Sequence, residues 1–572
     1  MTAGTLARNV LTFLSFFTAL APAGGQSIPH LEKHGNATQL VVDGKPFLVL
    51  GGELTNTASS SQEYMQPVWP RLASMHLNTV LTGMSWAQFE PEEGKYDYAL
   101  IDNLLAGARQ QNLRIIFIWF GSWKNGISSF APAWVKADQK RFPRAQLGSG
   151  RSIEVLSTLS EENLRADTKA YVAFMRHLHE VDSDKHTVLM IQIENEVGIL
   201  GDSRDRSEAA NAAFGKPVPS ALMDYLQSHK ATLRRELKSL WSAAGTKPSG
   251  TWPQVFGEGM AADEAFMAWN YAHYMNQITK AGKAEYSLPV FTNTWIVQPE
   301  DRGPGDYPSG CPEPHVLDIW RAGGPDIDIN APDIYLPNFT EWVGRFHQNG
   351  NPLFVPESRG DATGVANAFY AIGQEDAIGY SPFGIDNMGR LLGADTRPVA
   401  AGPPDARSLP LTKGYAVLEQ LAPLILQNQG TKNIGAVVLD ANTRGRSIQV
   451  GNFTVTVEKA HDRRSGTLTT TPESPTFALI IATAPDDYVI AANSAEITFS
   501  PATPGPAIAG LAQVQEGRYV NGAWVPGRWL NGDDVLLNYK LAEAAATSQS
   551  GSGLRFAANG PTILKAKLYR YQ

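Results

Sequence analysis

The chain has 572 residues, 43% of them hydrophobic and 18% charged, a composition that excludes disorder and a length too great for a single core. Its formal net charge is -8, and no basic cluster offsets it, which excludes nucleic acid as a partner. The single cysteine, Cys311, excludes an intrachain disulfide.

At the N-terminus Arg8 precedes the apolar run "VLTFLSFFTALA" and then Ala21-Pro22-Ala23. A charged start, a short apolar core and small residues predict a secretory signal over 1–23. An N-terminal core helix is the alternative. The run is about a dozen residues, too short to span a bilayer. Export to a bacterial periplasm or beyond, without membrane insertion, is the expected localisation.

Short apolar strands then alternate with amphipathic helices. The predicted strands are 47–53, 79–86, 114–120, 187–196, 289–295, 326–335, 352–358 and 377–386. Strand–helix units in series predict a (β/α)8 barrel over 24–430. Two excursions interrupt it, near 199–262 and 296–315. Both leave from strand C-terminal ends, where a barrel builds its site. After about 431 the pattern changes to short alternating strands with Gly, Pro and Asn turns, which predicts an antiparallel β-sandwich over 431–572. "AAATSQSGSG" (544–553) reads as a flexible loop.

The segment "TVLMIQIENEVG" (187–198) carries the chemistry. Its apolar run suits a strand covered on both faces, and it ends in Glu194, Asn195 and Glu196. The seventh strand, "PLFVPES", ends in Glu357. Taken alone, either acid reads as a solvated strand end. At the fourth and seventh strand ends of one barrel, the pair suits glycoside hydrolysis, in which one acid protonates the leaving oxygen while the other attacks carbon or activates water. Period-two alternation places Glu194 on the same side as Glu196, as an acid tuning the site or the partner of an Arg or Lys.

"QIENEVG", "GGELTN" and "SWAQFEPEEGKYDY" (85–98) together resemble motifs of glycoside hydrolase family 35, the β-galactosidases, within a larger clan of retaining (β/α)8 hydrolases. The resemblance covers most of the barrel; a weaker one extends to the C-terminal sandwich of bacterial members acting on plant cell-wall galactosides. It implies Glu196 as acid/base, Glu357 as nucleophile and Asn195 as a contact to the sugar 2-hydroxyl. It also places Tyr335 where its hydroxyl could hold the nucleophile.

The chain departs from the family pattern at Thr55, Ala87, Phe89 and Ser122. Ser122 stands where the family has a sugar-binding acid, and a hydrogen bond from Ser122 is the expected substitute. The reaction class is therefore better supported than the sugar. Trp86, at a strand end, is a candidate for stacking on a sugar face, with Trp119, Trp123 and Trp295 behind it; barrel packing is the alternative. Asn56 can donate to a sugar hydroxyl or simply form a turn.

No metal or cofactor is expected, since the 11 histidines form no ligand spacing and "GDSRDRSE" (201–208) lacks the pattern of a calcium loop. The expected activity is a retaining exo-β-galactosidase on cell-wall oligosaccharides such as xyloglucan fragments. The alternatives are another retaining β-glycosidase, such as a β-glucosidase, or an inactive polysaccharide-binding protein. The aromatic stretch 519–534 is expected to buttress the barrel.

Overall fold

The computed structural model describes residues 28–296, 302–388, 406–462, 465–537 and 552–572. The predicted signal segment and most of the 544–553 loop lie outside them, as does part of the second excursion.

Among the described residues, eight parallel strands close a barrel. They are β1 (Val49–Glu53), β2 (Thr79–Ser85), β3 (Arg114–Lys124), β4 (Val188–Asn195), β5 (Val290–Trp295), β6 (Ile329–Ile334), β7 (Val355–Ser358) and β8 (Gly379–Pro382). β8 pairs with β1 through Gly379–Val49 and Tyr380–Leu50, which completes the ring. These strands are apolar on both faces because each is covered twice. One set of side chains, including Val49, Ile116, Ile118, Phe291, Ile329 and Ala331, fills the interior. The alternate set, including Leu50, Phe117, Ile193 and Val355, packs against the helices. Leu40 and Val42, from a three-stranded sheet at the N-terminal side, join the interior cluster.

Two long helices stand behind the site. In α1 (Glu161–Asp182) the Ser160 hydroxyl caps the first turn by accepting from Asn163 N at 3.2 Å. α2 (Met260–Glu285) packs against α1. The first excursion folds into four shorter helices between Glu208 and Phe256. β3 runs to Lys124, four residues beyond its predicted end.

The C-terminal strands form one six-stranded and one five-stranded antiparallel sheet. Their facing sides share a core of residues such as Val455, Phe499, Ile480, Ile490 and Leu564, which makes a β-sandwich. The outer face of the larger sheet lies on the barrel. Phe477 meets Phe369 of α3 (Ala362–Gln374) with ring centroids 4.8 Å apart, and Tyr519 N donates to Gln420 Oε1 of α4 (Pro410–Asn428) at 3.1 Å. Lys565 sits over the Tyr519 and Trp524 rings, at 5.1 and 4.7 Å. The aromatic stretch is therefore a buttress at Tyr519 and Trp524, whereas Trp529 is exposed. No helix of the described residues is long and apolar enough to cross a membrane.

Candidate active site

Four acids and one lysine converge at the C-terminal mouth of the barrel. Glu53 ends β1, Lys124 ends β3, Glu196 follows β4, Asp333 lies near the end of β6, and Glu357 lies in β7. One carboxylate oxygen each from Glu196, Asp333 and Glu357 lies within 4.8 Å of the others. All five side chains are buried. Oxygens this close could share a small cation, yet the Lys124 ammonium already places a positive charge beside Glu53, Glu196 and Glu357.

The backbone brings Glu196 into this group by leaving the strand conformation. Glu194 and Glu196 have φ of 55° and 44°, in the left-handed region that non-glycine residues seldom adopt. Such strain persists where surroundings over-determine it, and here they do. Glu196 N donates to Asn293 Oδ1 at 2.9 Å, Asn293 Nδ2 donates to Asp333 Oδ2 at 2.7 Å, and Asn293 Nδ2 also reaches Asn195 Oδ1 at 3.1 Å.

The left-handed turn corrects the expectation for Glu194. Alternation assumes extended backbone, and at positive φ it fails. Glu194 turns outward, into the layer between barrel and helices. It accepts from Ser122 N at 3.0 Å and Trp123 N at 2.7 Å, and it hydrogen-bonds to Asp167 of α1. Its partner is thus another acid, not an Arg or Lys. Burial, then the Asp167 charge, pushes Glu194 well above the usual carboxylate range.

The electrostatics of the mouth separate its acids. Burial, followed by repulsion from Glu357, pushes Glu196 up to about 7, against the pull of Lys124 and a hydrogen bond from Asp333. Burial raises Glu357 too, but Lys124 and the Tyr335 hydroxyl hold it back. That hydroxyl donates to Glu357 Oε1 at 2.5 Å. Burial and the Glu357 charge lift Asp333 and Glu53 well above the usual range. The arrangement thus poises Glu196 near neutrality, opposes the rise at Glu357 through Lys124 and Tyr335, and favours the protonated forms of Asp333 and Glu53.

The other predicted residues are distributed as follows. Asn195 is fully buried, accepting from Gln192 Nε2 at 3.0 Å and donating to Asn125 Oδ1 at 3.2 Å. Asn56 is half-buried, and its Oδ1 has no partner among the described residues. Two residues do not suit the expected contact with substrate. Ser122 is fully buried in the wall, where its Oγ donates to Asp167 Oδ2 at 2.5 Å and lies 3.0 Å from the Tyr274 hydroxyl. Trp86 offers no exposed ring face: it packs edge-on to Trp134 and donates to Glu90 Oε2 at 2.8 Å. Trp119 and Trp123 are also packed, and of the four tryptophans only Trp295, 41% exposed, has a free face.

Glu53, Lys124, Asn293 and Asp333 were not singled out by motif. A signal existed for three of them, since Glu53, Asn293 and Asp333 lie in the last residues of predicted strands. Glu53 shares parity with interior Val49, Asn293 with Phe291, and Asp333 with Ala331.

Residues 58–254 match a family model described as β-galactosidase, glycoside hydrolase family 42, and residues 411–541 match one described as a domain of unknown function, DUF5597. The first match includes Lys124 and Glu196 and ends before Asp333 and Glu357. Family 42 is a different family from family 35, which the motifs resemble; both carry the name β-galactosidase. No curated protein matches the chain. Solved structures similar to it include the cold-adapted β-galactosidase of Rahnella sp. R3, at 12% identity over 91% of this chain and 99% of that one, with a TM-score of 0.46. The β-galactosidase of the psychrophilic Marinomonas ef1 aligns at 13% identity over 67% of this chain and 61% of that one, with a TM-score of 0.43. The exo-β-1,4-mannosidase Op5Man5 of Opitutaceae bacterium strain TAV5 aligns at 14% identity over 59% of this chain and 52% of that one, with a TM-score of 0.33. The chain thus covers about three fifths of the Marinomonas enzyme's length. What the comparisons support is a glycoside-hydrolase segment of the β-galactosidase kind within a (β/α)8 barrel.

Proposed function

We propose that the protein is a retaining β-glycosidase that removes terminal β-galactosyl groups by double displacement. The observation that carries this is the pairing of Glu196 and Glu357, with carboxylate oxygens within 4.8 Å; burial raises both, and at Glu357 the Tyr335 hydroxyl as well as Lys124 opposes the rise. A separation of about 5 Å suits attack by one carboxylate on the anomeric carbon, whereas inverting pairs stand further apart to admit a water.

Glu357, whose ionised form Lys124 and the Tyr335 hydroxyl favour against burial, attacks the anomeric carbon. The glycosidic C–O bond breaks as Glu196 delivers its proton to the leaving oxygen. The resulting glycosyl ester on Glu357 is then cleaved by water. Glu196, now a carboxylate, takes the water's proton and returns to its starting state. A pKa of about 7 suits a group that must both give and accept a proton near neutrality.

The family 42 match and the family 35 resemblance both point to galactose as the sugar. Exo-action on cell-wall oligosaccharides such as xyloglucan fragments belongs to the same proposal, as does export through the 1–23 segment. A matched panel of aryl β-galactoside, β-glucoside and β-mannoside tests the sugar. Preference for galactose is the expected result, and preference for another sugar would keep the mechanism and replace the substrate. Glu196→Gln and Glu357→Gln should each lose most activity while still folding; near-normal turnover in either would contradict the proposal.

A further inference from the structure

Glu53 closes β1 at the mouth and takes no part in the two steps above. The glycine pair before it lets β1 press on the β8 side. A Cβ on Gly51 would stand 2.0 Å from Ser381 Oγ, and one on Gly52 would stand 2.7 Å from Ile385 Cγ1. Ile385 N then donates to Glu53 O at 2.9 Å and fixes the strand end. Parity with Val49 aims the Glu53 side chain into the barrel.

There Glu53 is 1% exposed, and neither Oε1 nor Oε2 has a hydrogen-bond partner among the described residues. Buried polar groups are nearly always paired, so an orphan needs an explanation. Glu357 Oε2, the oxygen that Tyr335 leaves free for attack, is likewise buried and unpartnered among the described residues. The Glu357 charge acts directly on Glu53 at the same barrel mouth, so a sugar seated over Glu357 arrives beside Glu53.

We infer that Glu53 is a sugar-binding, specificity-determining residue whose carboxyl pairs with ring hydroxyls of the glycone held over Glu357. This rests on reading the site as a glycosidase. Burial and the neighbouring Glu357 charge push the Glu53 carboxyl well above the usual carboxylate range, against the pull of Lys124, and so favour its neutral form. A neutral carboxyl offers one O–H donor and one C=O acceptor. A sugar hydroxyl both donates and accepts, so one hydroxyl or two adjacent ones satisfy both oxygens. A neutral glycone also adds no charge to an already acidic mouth.

The test is binding, measured by calorimetric titration of the full chain. Methyl β-galactoside, methyl β-glucoside and their monodeoxy analogues, each lacking one hydroxyl, are compared in the wild type, Glu53→Gln, Glu53→Ala and Glu53→Leu. The wild type should bind one analogue, or two adjacent ones, about tenfold more weakly than the parent, the loss of roughly one hydrogen bond. Glu53→Ala should bind the parent about that much more weakly and no longer discriminate against that analogue. Glu53→Leu fills the space and should behave as Glu53→Ala does if a void alone unfolds the latter. Glu53→Gln keeps a donor and an acceptor and should stay within a few-fold of the wild type. An unchanged deoxy profile in both Glu53→Ala and Glu53→Leu would overturn the inference, as would failure of the wild type to bind either parent sugar. Discrimination that maps to Glu53 in a protein that hydrolyses no glycoside would support it while overturning the glycosidase reading.

Discussion

The Tyr335 hydroxyl donates to Glu357 Oε1 at 2.5 Å and leaves Oε2 without a partner among the described residues. One oxygen is thus held, and in the proposed mechanism the other attacks. Hydrogen bonds to charged groups contribute about 1.5–3 kcal/mol, so Tyr335→Phe should lower kcat/KM by roughly tenfold to a hundredfold. Because the hydroxyl lowers the Glu357 pKa, its loss should also move the acid limb of the pH–rate profile upward. An unchanged acid limb would separate Tyr335 from Glu357.

In the proposed mechanism Glu196 must carry a proton to assist departure of the leaving group, and its pKa is pushed up to about 7. Activity should therefore fall above about pH 7, by roughly tenfold per pH unit at the far limb. The sign for stability is the same. A folded-state pKa above the unfolded value means that the folded chain holds protons the unfolded chain releases. The stabilising contribution of Glu196 is whole below its unfolded value of about 4.5 and is lost as pH rises through about 7. Denaturant titrations across this window in the wild type and in Glu196→Gln check it: the variant should show the shallower decline.

Lys124 is the cation that opposes burial at Glu53, Glu196 and Glu357 together. Lys124→Met keeps the bulk and removes the charge. Both limbs of the pH–rate profile should then move to higher pH, since every acid it lowered is released upward. A uniform loss of rate with unmoved limbs would mean that Lys124 acts through contact alone.

Gly121 has its place because of the acid pair behind the wall. A Cβ there would stand 2.6 Å from Glu194 Oε1, 2.8 Å from Asp167 Oδ1 and 2.4 Å from Trp119 Nε1. Gly121→Ala should destabilise the fold by about 1–3 kcal/mol, the usual cost of overpacking. A thermal or chemical melt measures it, and an unchanged midpoint would show that the pair yields easily.

The barrel was legible because strands covered on both faces read as apolar runs, and its candidate site because such barrels place reactive groups at strand C-terminal ends. Glu196 and Glu357 stood out as acids ending apolar runs. Other parts were hidden for definite reasons. Glu194 was misplaced because alternation holds only for extended backbone, and its φ of 55° turns the side chain toward Asp167. Lys124 was missed because β3 continues past the apolar run that suggested it, through Gly121-Ser122-Trp123. Ser122 and Trp86 were correctly sited at the strand ends, but which way each side chain faces depends on partners far along the chain, such as Asp167 and Trp134. Glu53 and Asp333 lay within the quoted strands, yet nothing local distinguishes an interior acid from a solvated one.

The central claim is that Glu357 becomes covalently bonded to the sugar. Incubation with a fluorinated, slowly turned-over aryl β-galactoside, followed by peptide mass spectrometry, tests it most directly. The account predicts one added glycosyl group, on the peptide carrying Glu357 and absent from Glu357→Gln. A label on another residue, or a wild-type enzyme that hydrolyses galactosides with inversion and never carries the label, would contradict it.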